Sequence, residues 1–175
     1  HAQAITQRII HSRLYKQSRH IALYLSNDGE VDLSPLINKL LSHYKKCYLP
    51  VILSRRHAIM SFALYERHTR LKKNCFGILE PVYQKKHLKA ARQMDLLLAP
   101  LVGFDVQGNR MGMGGGFYDR ALQHLSQHKA ANMRRPKFVG IAHEVQKVAH
   151  LESRQWDIPL HAIVTERQLS YFHGK

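Results

Sequence analysis

The 175-residue chain has few cysteines, few acidic residues and no long apolar run. Its two cysteines, Cys47 and Cys75, lack CxxC spacing, which argues against a disulfide scaffold and favours a reducing compartment. The longest apolar stretch, DLLLAPLVGF (95–104), is interrupted by proline and glycine and is too short to span a bilayer. No charged region followed by an apolar stretch and a cleavage site marks a signal peptide. We therefore expect a cytoplasmic protein without a membrane segment.

Zinc-binding patterns and two common nucleotide-binding motifs are also absent. No set of histidines and cysteines has zinc-ligand spacing, so the 13 histidines are interpreted mostly as surface residues. The chain has no GK[ST] sequence, which excludes a Walker A loop, and its glycines do not follow GxGxxG spacing. A nucleotide site, if the chain has one, must be built differently.

Acidic residues are scarce: 12 Asp and Glu stand against 27 Lys and Arg, which gives a net charge of +15. Such a balance favours an anionic partner, either a nucleic acid or a small polyanion such as a nucleotide. The cations are spread along the chain rather than gathered in a tail. We prefer diffuse basicity around an anionic substrate. An RNA-binding module is the alternative, although RNP-type aromatics, a KH-type GXXG clamp and a basic helix are all lacking.

Helix-like and strand-like segments alternate along the chain. Apolar spacing predicts a helix over 4–17, a second one that begins at the N-cap Ser34 with Pro35 in its first position, and a third over 117–128 with Leu125 facing inward. Short apolar runs predict strands at 21–26, 47–52, 60–65, 95–100, 137–143 and 161–166. This alternation predicts one α/β domain over residues 1–175, in three layers, with a mostly parallel sheet flanked by helices.

The glycine-rich stretch RMGMGGGFYDR (110–120) follows the predicted strand at 95–100 and a loop at 101–109, and it opens the third helix. Ligands of open α/β sheets bind beyond the carboxyl ends of the strands, and glycines there let backbone N–H groups approach phosphate oxygens. Arg110 could add bidentate bonds to phosphate, and Asp119 could hold Mg²⁺. On these residues alone, a phosphate cradle and a structural turn both remain open.

The segment LAPLVGFDVQGNRMGMGGGFYDRAL (98–122) resembles the signature of the 5-formyltetrahydrofolate cyclo-ligase family, the methenyltetrahydrofolate synthetases. IALYLSNDGEVD, YLPVI, FGILEP, MDLLLAP, VGIA and WDIPLHAIVTE follow the family's order and approximate spacing, so the resemblance covers nearly the whole chain. It implies a Rossmann-like fold similar to sugar-phosphate isomerases and coenzyme A transferases. It further implies cyclisation of 5-formyltetrahydrofolate to 5,10-methenyltetrahydrofolate with ATP and Mg²⁺, releasing ADP and phosphate. An enzyme of related fold acting on sugar phosphates is a further alternative.

The resemblance also implies which residues form the site. Arg110 and Asp119 would be catalytic, and Asp119 and Asp157 would bind the metal. The ATP-binding positions would be Arg110, Met111, Gly112, Met113, Gly114, Gly115, Gly116, Phe117 and Tyr118. The substrate-binding positions would be Leu25, Glu30, Met113, Gly114, Gly115, Gly116 and Phe117. A solvated loop aspartate at Asp157 and an ordinary turn glutamate at Glu30 remain open alternatives.

Four positions depart from the family pattern: Leu33 stands for the usual Thr, Met113 for a common Arg, Phe117 for the first Tyr and His161 for a frequent Asp. Family members also carry basic residues on an earlier N-terminal helix that reach ATP. We expect such a segment to precede His1; the alternative is that catalysis is impaired. The implied partners are ATP and 5-formyltetrahydrofolate, with or without a polyglutamate tail. We expect a monomer, and no nucleic-acid partner.

Three further residues complete the sequence-based expectations. Phe104 and Trp156 are interpreted as core residues rather than as the wall of a folate slot. Glu80, in FGILEP, is typical of the family but has no assigned chemical task.

Overall fold

The computed structural model describes residues 1–123 and 136–172. Within them, the helices are α1 (Ala2–His11), α2 (Arg13–Lys16), α3 (Ser34–Ser42) and α4 (Phe117–Leu122). The strands are β1 (His20–Ala22), β2 (Lys46–Ser54), β3 (Ile59–Tyr65), β4 (Leu71–Lys73), β5 (Leu79–Pro81), β6 (Leu96–Pro100), β7 (Gly103–Phe104), β8 (Arg110–Met111), β9 (Lys137–Ile141), β10 (Ala162–Val164) and β11 (Leu169–Tyr171). Short 3₁₀ turns occupy Lys85–His87, Ala91–Gln93 and Glu144–Gln146.

A seven-stranded sheet forms the centre of the domain, in the order β11-β10-β9-β6-β1-β2-β3. The five inner strands run parallel to one another, while β3 and β11 pair antiparallel at the two edges. The hairpins β4–β5 and β7–β8 lie outside this sheet. The prediction of a mostly parallel α/β sheet is confirmed.

The central strand β6 is buried on both faces, as its nearly continuous apolar sequence predicted. Leu96 and Leu98 belong to the core cluster that contains the apolar residues of α1 and α3. Leu97 and Ala99 belong to the second cluster, which contains Leu122 of α4. Successive strand residues point to opposite faces, so this alternation produces three layers: helices, sheet and helices.

Two predicted helix boundaries are wrong, and hydrogen-bonding side chains explain both. The predicted helix over 4–17 breaks at Ser12, whose hydroxyl donates to the Ile9 carbonyl and accepts from the Tyr15 N–H, so α1 ends and α2 begins there. Ser34 is the first residue of α3 and not its N-cap; the flanking residue is Leu33. The Asp32 carboxylate accepts from the Ser34 N–H, 2.9 Å away, and occupies the role that we had given to Ser34.

The strand predictions are correct in place and differ in length. The strand predicted at 21–26 ends at Ala22, and residues 23–27 lead without regular secondary structure to a turn in which Asp28 and Gly29 have positive φ. The loop predicted over 101–109 contains β7, and the glycine turn begins with β8. Of the helix predicted over 117–128, the structure describes Phe117–Leu122 as helical, and Leu125 lies outside the described residues. No helix in the described ranges has the length and apolar character to cross a membrane.

Candidate active site

The glycine turn lies beyond the carboxyl end of β6, where sites of parallel sheets form. Gly114 (φ 83°) and Gly116 (φ 64°) adopt left-handed backbone conformations that favour glycine. A Cβ built on Gly112, Gly114 or Gly116 would meet nothing within 4 Å. This backbone is therefore open to an approaching molecule, as a cradle for phosphate would require.

Arg110 connects the two ends of this turn to the segment before β10. Its guanidinium donates through Nη2 to Asp119 Oδ1 and through Nη1 to the Ile158 carbonyl, each over 2.7 Å. The same group lies 4.7 Å from the centroid of the Phe138 ring in β9. Only 7% of the Arg110 side chain is exposed. Arg110 thus holds Asp119 and the 158 segment in fixed positions, a task that spacing in the sequence did not suggest.

The segment that carries Asp157 contacts Asp119, the other predicted metal ligand, through its main chain. Ile158, the residue after Asp157, donates its N–H to Asp119 Oδ1 over 3.0 Å. Asp157 Oδ2 accepts from the Arg154 N–H over 2.8 Å, which closes a short turn. Among the described residues, no group donates a hydrogen bond to Asp119 Oδ2. The arrangement leaves carboxylate oxygens for a hard cation, and Mg²⁺ prefers oxygen ligands.

Glu30 lies on the loop after β1, and its charge acts on Tyr118 of α4. Burial raises the pKa of Glu30, although the hydrogen bond from the Asn27 N–H to Oε2, 2.9 Å long, acts in the opposite direction. Burial and the negative charge of Glu30 both raise the pKa of Tyr118. The same two causes raise the pKa of Tyr24, whose hydroxyl donates to the Val31 carbonyl. The predicted substrate residue Glu30 and the predicted ATP-binding residue Tyr118 therefore lie in one electrostatic environment.

Leu25 and Met113, two other predicted substrate-binding residues, differ in exposure. Leu25 is partly buried and packs against the core cluster that contains the apolar residues of α1 and α3. Met113, which stands where the family commonly has Arg, is 81% exposed at the tip of the glycine turn. Met113 is therefore free to contact a ligand, and the role of Leu25 in substrate binding stays a prediction.

An aromatic cluster that we did not predict borders the glycine turn. Phe117 meets Phe76, from the turn between β4 and β5, edge to face with 6.0 Å between ring centroids. The guanidinium of Arg55, from the turn between β2 and β3, lies 5.1 Å from the Phe76 ring centroid. Phe76 is 42% exposed. The sequence signal for this cluster was a phenylalanine in a glycine-containing turn, NCFG, where an aromatic side chain is expected to be exposed.

Two of the remaining expectations concern aromatic core residues, and their outcomes differ. Phe104 is buried in the core, as predicted. Trp156 is 62% exposed, so its assignment to the core is wrong. It lies in the turn closed by Asp157, where the Arg154 guanidinium covers the ring at 5.6 Å rather than core side chains.

Glu80, to which the sequence analysis assigns no chemical role, has a structural role. Its buried carboxylate accepts from the Ile52 N–H over 3.2 Å and lies 3.7 Å from Lys72 Nζ. These contacts hold the β4–β5 hairpin against β2. Two departures from the family pattern are likewise structural: Leu33 is fully buried in the core, and His161 Nδ1 accepts from the Phe138 N–H over 3.0 Å.

Comparisons with known sequences agree over most of the chain. A sequence profile described as the 5-formyltetrahydrofolate cyclo-ligase family matches residues 1–166. The 5-formyltetrahydrofolate cyclo-ligase of Haemophilus influenzae is 40% identical over 162 residues, which cover 93% of this chain and 83% of that protein. The enzyme of the same name from Escherichia coli K12 is 41% identical over 145 residues, which cover 83% of this chain and 76% of that protein.

Solved structures show the same similarity in three dimensions. A 5,10-methenyltetrahydrofolate synthetase from Aquifex aeolicus has a TM-score of 0.79 at 29% identity, and the match covers 99% of this chain and 82% of that one. A 5,10-methenyltetrahydrofolate synthetase from Mycoplasma pneumoniae has a TM-score of 0.68 at 25% identity, covering 94% and 84%. Sequence and fold therefore point to the same group of proteins.

Proposed function

Because this chain belongs to the 5-formyltetrahydrofolate cyclo-ligase family, we propose that it drives its reaction with ATP and Mg²⁺ held at the glycine turn. The protein is a ligase of folate one-carbon metabolism that cyclises 5-formyltetrahydrofolate to 5,10-methenyltetrahydrofolate. The observation that carries the ATP and metal part of the proposal is the open glycine backbone beyond β6, next to the Asp119 carboxylate.

In the proposed reaction, the formyl oxygen attacks the γ-phosphorus of ATP and ADP leaves. N10 of the folate then bonds to the activated carbon, and phosphate leaves. These steps need positioning and neutralisation of charge more than a nucleophilic side chain. The backbone N–H groups of 112–116 can approach phosphate oxygens because no Cβ stands in the way at Gly112, Gly114 and Gly116.

Asp119 and Asp157 would hold Mg²⁺, which when bound would neutralise phosphate charge. Their fit to this ion rests on the type of donor atom and on Asp119 Oδ2, which accepts no hydrogen bond from the described residues. Arg110 keeps Asp119 oriented through Oδ1 and adds positive charge beside the turn.

We assign the folate to the side of the turn that faces Glu30. A carboxylate there can accept from the amino and ring N–H groups of a pterin. Phe117, with Phe76 against it, supplies apolar surface for the rest of the molecule. We further propose that the enzyme acts as a cytoplasmic monomer and that its basic surface accommodates a polyglutamate tail.

The test is the formation of the methenyl product, followed by its ultraviolet absorbance, with full-length protein, ATP and Mg²⁺. Asp119→Asn and Asp157→Asn should raise the Mg²⁺ concentration required and lower turnover by roughly 10- to 100-fold. Glu152→Gln, at an exposed carboxylate to which the proposal gives no role, is the matched control and should behave as the unchanged protein. ATP analogues should compete and sugar phosphates should not. Product formation that is independent of ATP, or an unchanged Mg²⁺ requirement in both Asp variants, would refute this proposal.

A further inference from the structure

His1, His143 and Glu166 come together where three separate parts of the chain meet. His1 immediately precedes α1, His143 follows β9, and Glu166 follows β10. One ligand atom from each, either an imidazole nitrogen or a carboxylate oxygen, lies within 4.8 Å of the other two. Among the described residues, these three are the one group of histidine, cysteine or acidic side chains whose ligand atoms are close enough to share a metal ion. It contains neither Asp119 nor Asp157.

The spacing of these atoms suits a tetrahedral zinc ion. Nitrogen and oxygen ligands lie about 2.0–2.2 Å from zinc, so two donor atoms on the same tetrahedral ion are roughly 3.3 Å apart. His1 Nδ1 and Glu166 Oε1 already lie 3.4 Å apart. The His1 and His143 rings meet edge to face, with 5.6 Å between their centroids. A rotation of the His143 side chain that moves its ring nitrogen by about one to two ångströms would complete a three-ligand set.

The carboxylate of Glu166 is held in place on the side away from the histidines. Its Oε2 accepts from the Glu144 N–H over 3.0 Å, which leaves Oε1 directed at His1. Glu144 is in turn fixed by the Thr165 hydroxyl, which donates to its Oε2 over 2.6 Å. Such outer hydrogen bonds are what orients a metal-binding carboxylate in known sites. Only 18% of the Glu166 side chain is exposed, so its carboxylate is largely withdrawn from solvent.

We propose that His1, His143 and Glu166 bind one transition-metal dication of the zinc class, at a site that shares no residue with the magnesium carboxylates. Imidazole nitrogens favour zinc, cobalt, nickel and copper, whereas Mg²⁺ favours oxygen ligands, so the two sites differ in the metal that they select. The bound ion would tie the beginning of α1 to the ends of β9 and β10. The alternative is a histidine–glutamate ion pair at a solvent-exposed surface, which needs no metal and contributes little.

The test is a titration of the full-length protein with Zn²⁺, monitored by the Cε1–H resonances of its histidines, and with Co²⁺, monitored by its visible absorption. One equivalent of Zn²⁺ should shift the resonances of His1 and His143 first, and Mg²⁺ at the same concentration should leave them unchanged. His143→Ala and Glu166→Gln should each weaken the binding by about 10-fold or more. Glu166→Gln keeps an oxygen acceptor for the Glu144 N–H, so it tests the charge and the ligand rather than the fold.

His150→Ala is the matched control. His150 also lies near a carboxylate, with Nδ1 3.9 Å from Asp105 Oδ2, but it belongs to no three-residue cluster within residues 1–123 and 136–172. It should bind Zn²⁺ as tightly as the unchanged protein. Circular dichroism and thermal unfolding without metal would show that each variant is folded. Zn²⁺ should raise the melting temperature of the unchanged protein and of His150→Ala, but not that of His143→Ala or Glu166→Gln. Equal weakening in His143→Ala and His150→Ala, or shifts spread over the exposed histidines, would show adventitious binding and overturn the proposal.

Discussion

Nη2 of Arg110 lies 2.7 Å from Oδ1 of Asp119, at opposite ends of the glycine turn. This ion pair closes the stretch of eight residues between Arg110 and Asp119. The Ile158 main chain completes the arrangement with one donor and one acceptor. Backbone that is rich in glycine loses much conformational freedom when it is ordered, so the pair supplies the constraint that the turn itself lacks.

Arg110→Lys should destabilise the protein although it keeps the charge. An ammonium group cannot reach Asp119 and the Ile158 carbonyl with the planar geometry that the guanidinium provides. We expect a loss of about 1–3 kcal/mol in the free energy of unfolding, measured by urea denaturation. Arg120→Lys, at an exposed position on α4, should change the free energy of unfolding little. Equal losses in the two variants would contradict the structural role of Arg110.

Gly112→Ala should separate binding from stability. A Cβ at Gly112 meets nothing within 4 Å and its φ is not in the left-handed region, so the melting temperature should stay unchanged. If phosphate approaches this backbone, however, the methyl group should raise the KM for ATP by roughly 10-fold or more. Gly108→Ala is the converse control, because its φ is +87° and its Cβ would lie 2.8 Å from Phe172. Gly108→Ala should lose at least about 1 kcal/mol of stability. An unaltered KM in Gly112→Ala would remove this residue from the ATP site.

Glu30→Gln should make the protein more stable at neutral pH, relative to its stability in acid. Because burial raises the pKa of Glu30 in the folded state, the folded protein holds this proton more tightly than the unfolded chain does. Stability contributed by Glu30 is therefore lost as pH rises from about 4.5 through the folded-state pKa. Unfolding free energies of both proteins between about pH 4 and pH 7 would measure the difference.

Asp32→Asn provides the control of opposite sign for Glu30→Gln. Hydrogen bonds from the backbone and side chain of Ser34 lower the pKa of Asp32, so its contribution is present above the unfolded pKa and is lost as pH falls. Asp32→Asn should therefore lower stability at neutral pH and have little effect in acid. The same sign of change in both variants would contradict the environments described for these two carboxyl groups.

The two cysteines should react very differently with a thiol reagent. Burial raises the pKa of Cys47 to about 12, and this core residue lies in β2, between β1 and β3, whereas Cys75 is exposed in the turn next to Phe76. The thiolate is the reactive form, so native protein at about pH 8 should release one equivalent of chromophore rapidly and a second only on unfolding. Cys75→Ser should abolish the rapid phase. Two rapid equivalents would mean that the sheet opens far more readily than its packing indicates.

Local sequence patterns predicted helices and strands well where every residue of the segment is buried. They predicted less well where a single side-chain hydrogen bond determines the end of a helix. The apolar run of β6 predicted a strand buried on both faces, because every residue from Leu96 to Ala99 has the same character. Spacing could not predict the break at Ser12, where one hydroxyl forms two hydrogen bonds. The hairpins β4–β5 and β7–β8 were missed because strands of two or three residues carry too little periodicity to detect.

By itself, the sequence determined the α/β class, the family and the glycine turn, since these depend on residue order and on periodicities that repeat along the chain. Tertiary structure alone decided which distant side chains meet: Arg110 with Ile158, Glu30 with Tyr118, Phe76 with Phe117, and His1 with His143 and Glu166. Parallel strands bring the ends of segments far apart in sequence to one edge of a sheet. A contact between two such ends is therefore a property of strand order, which neighbouring residues do not encode.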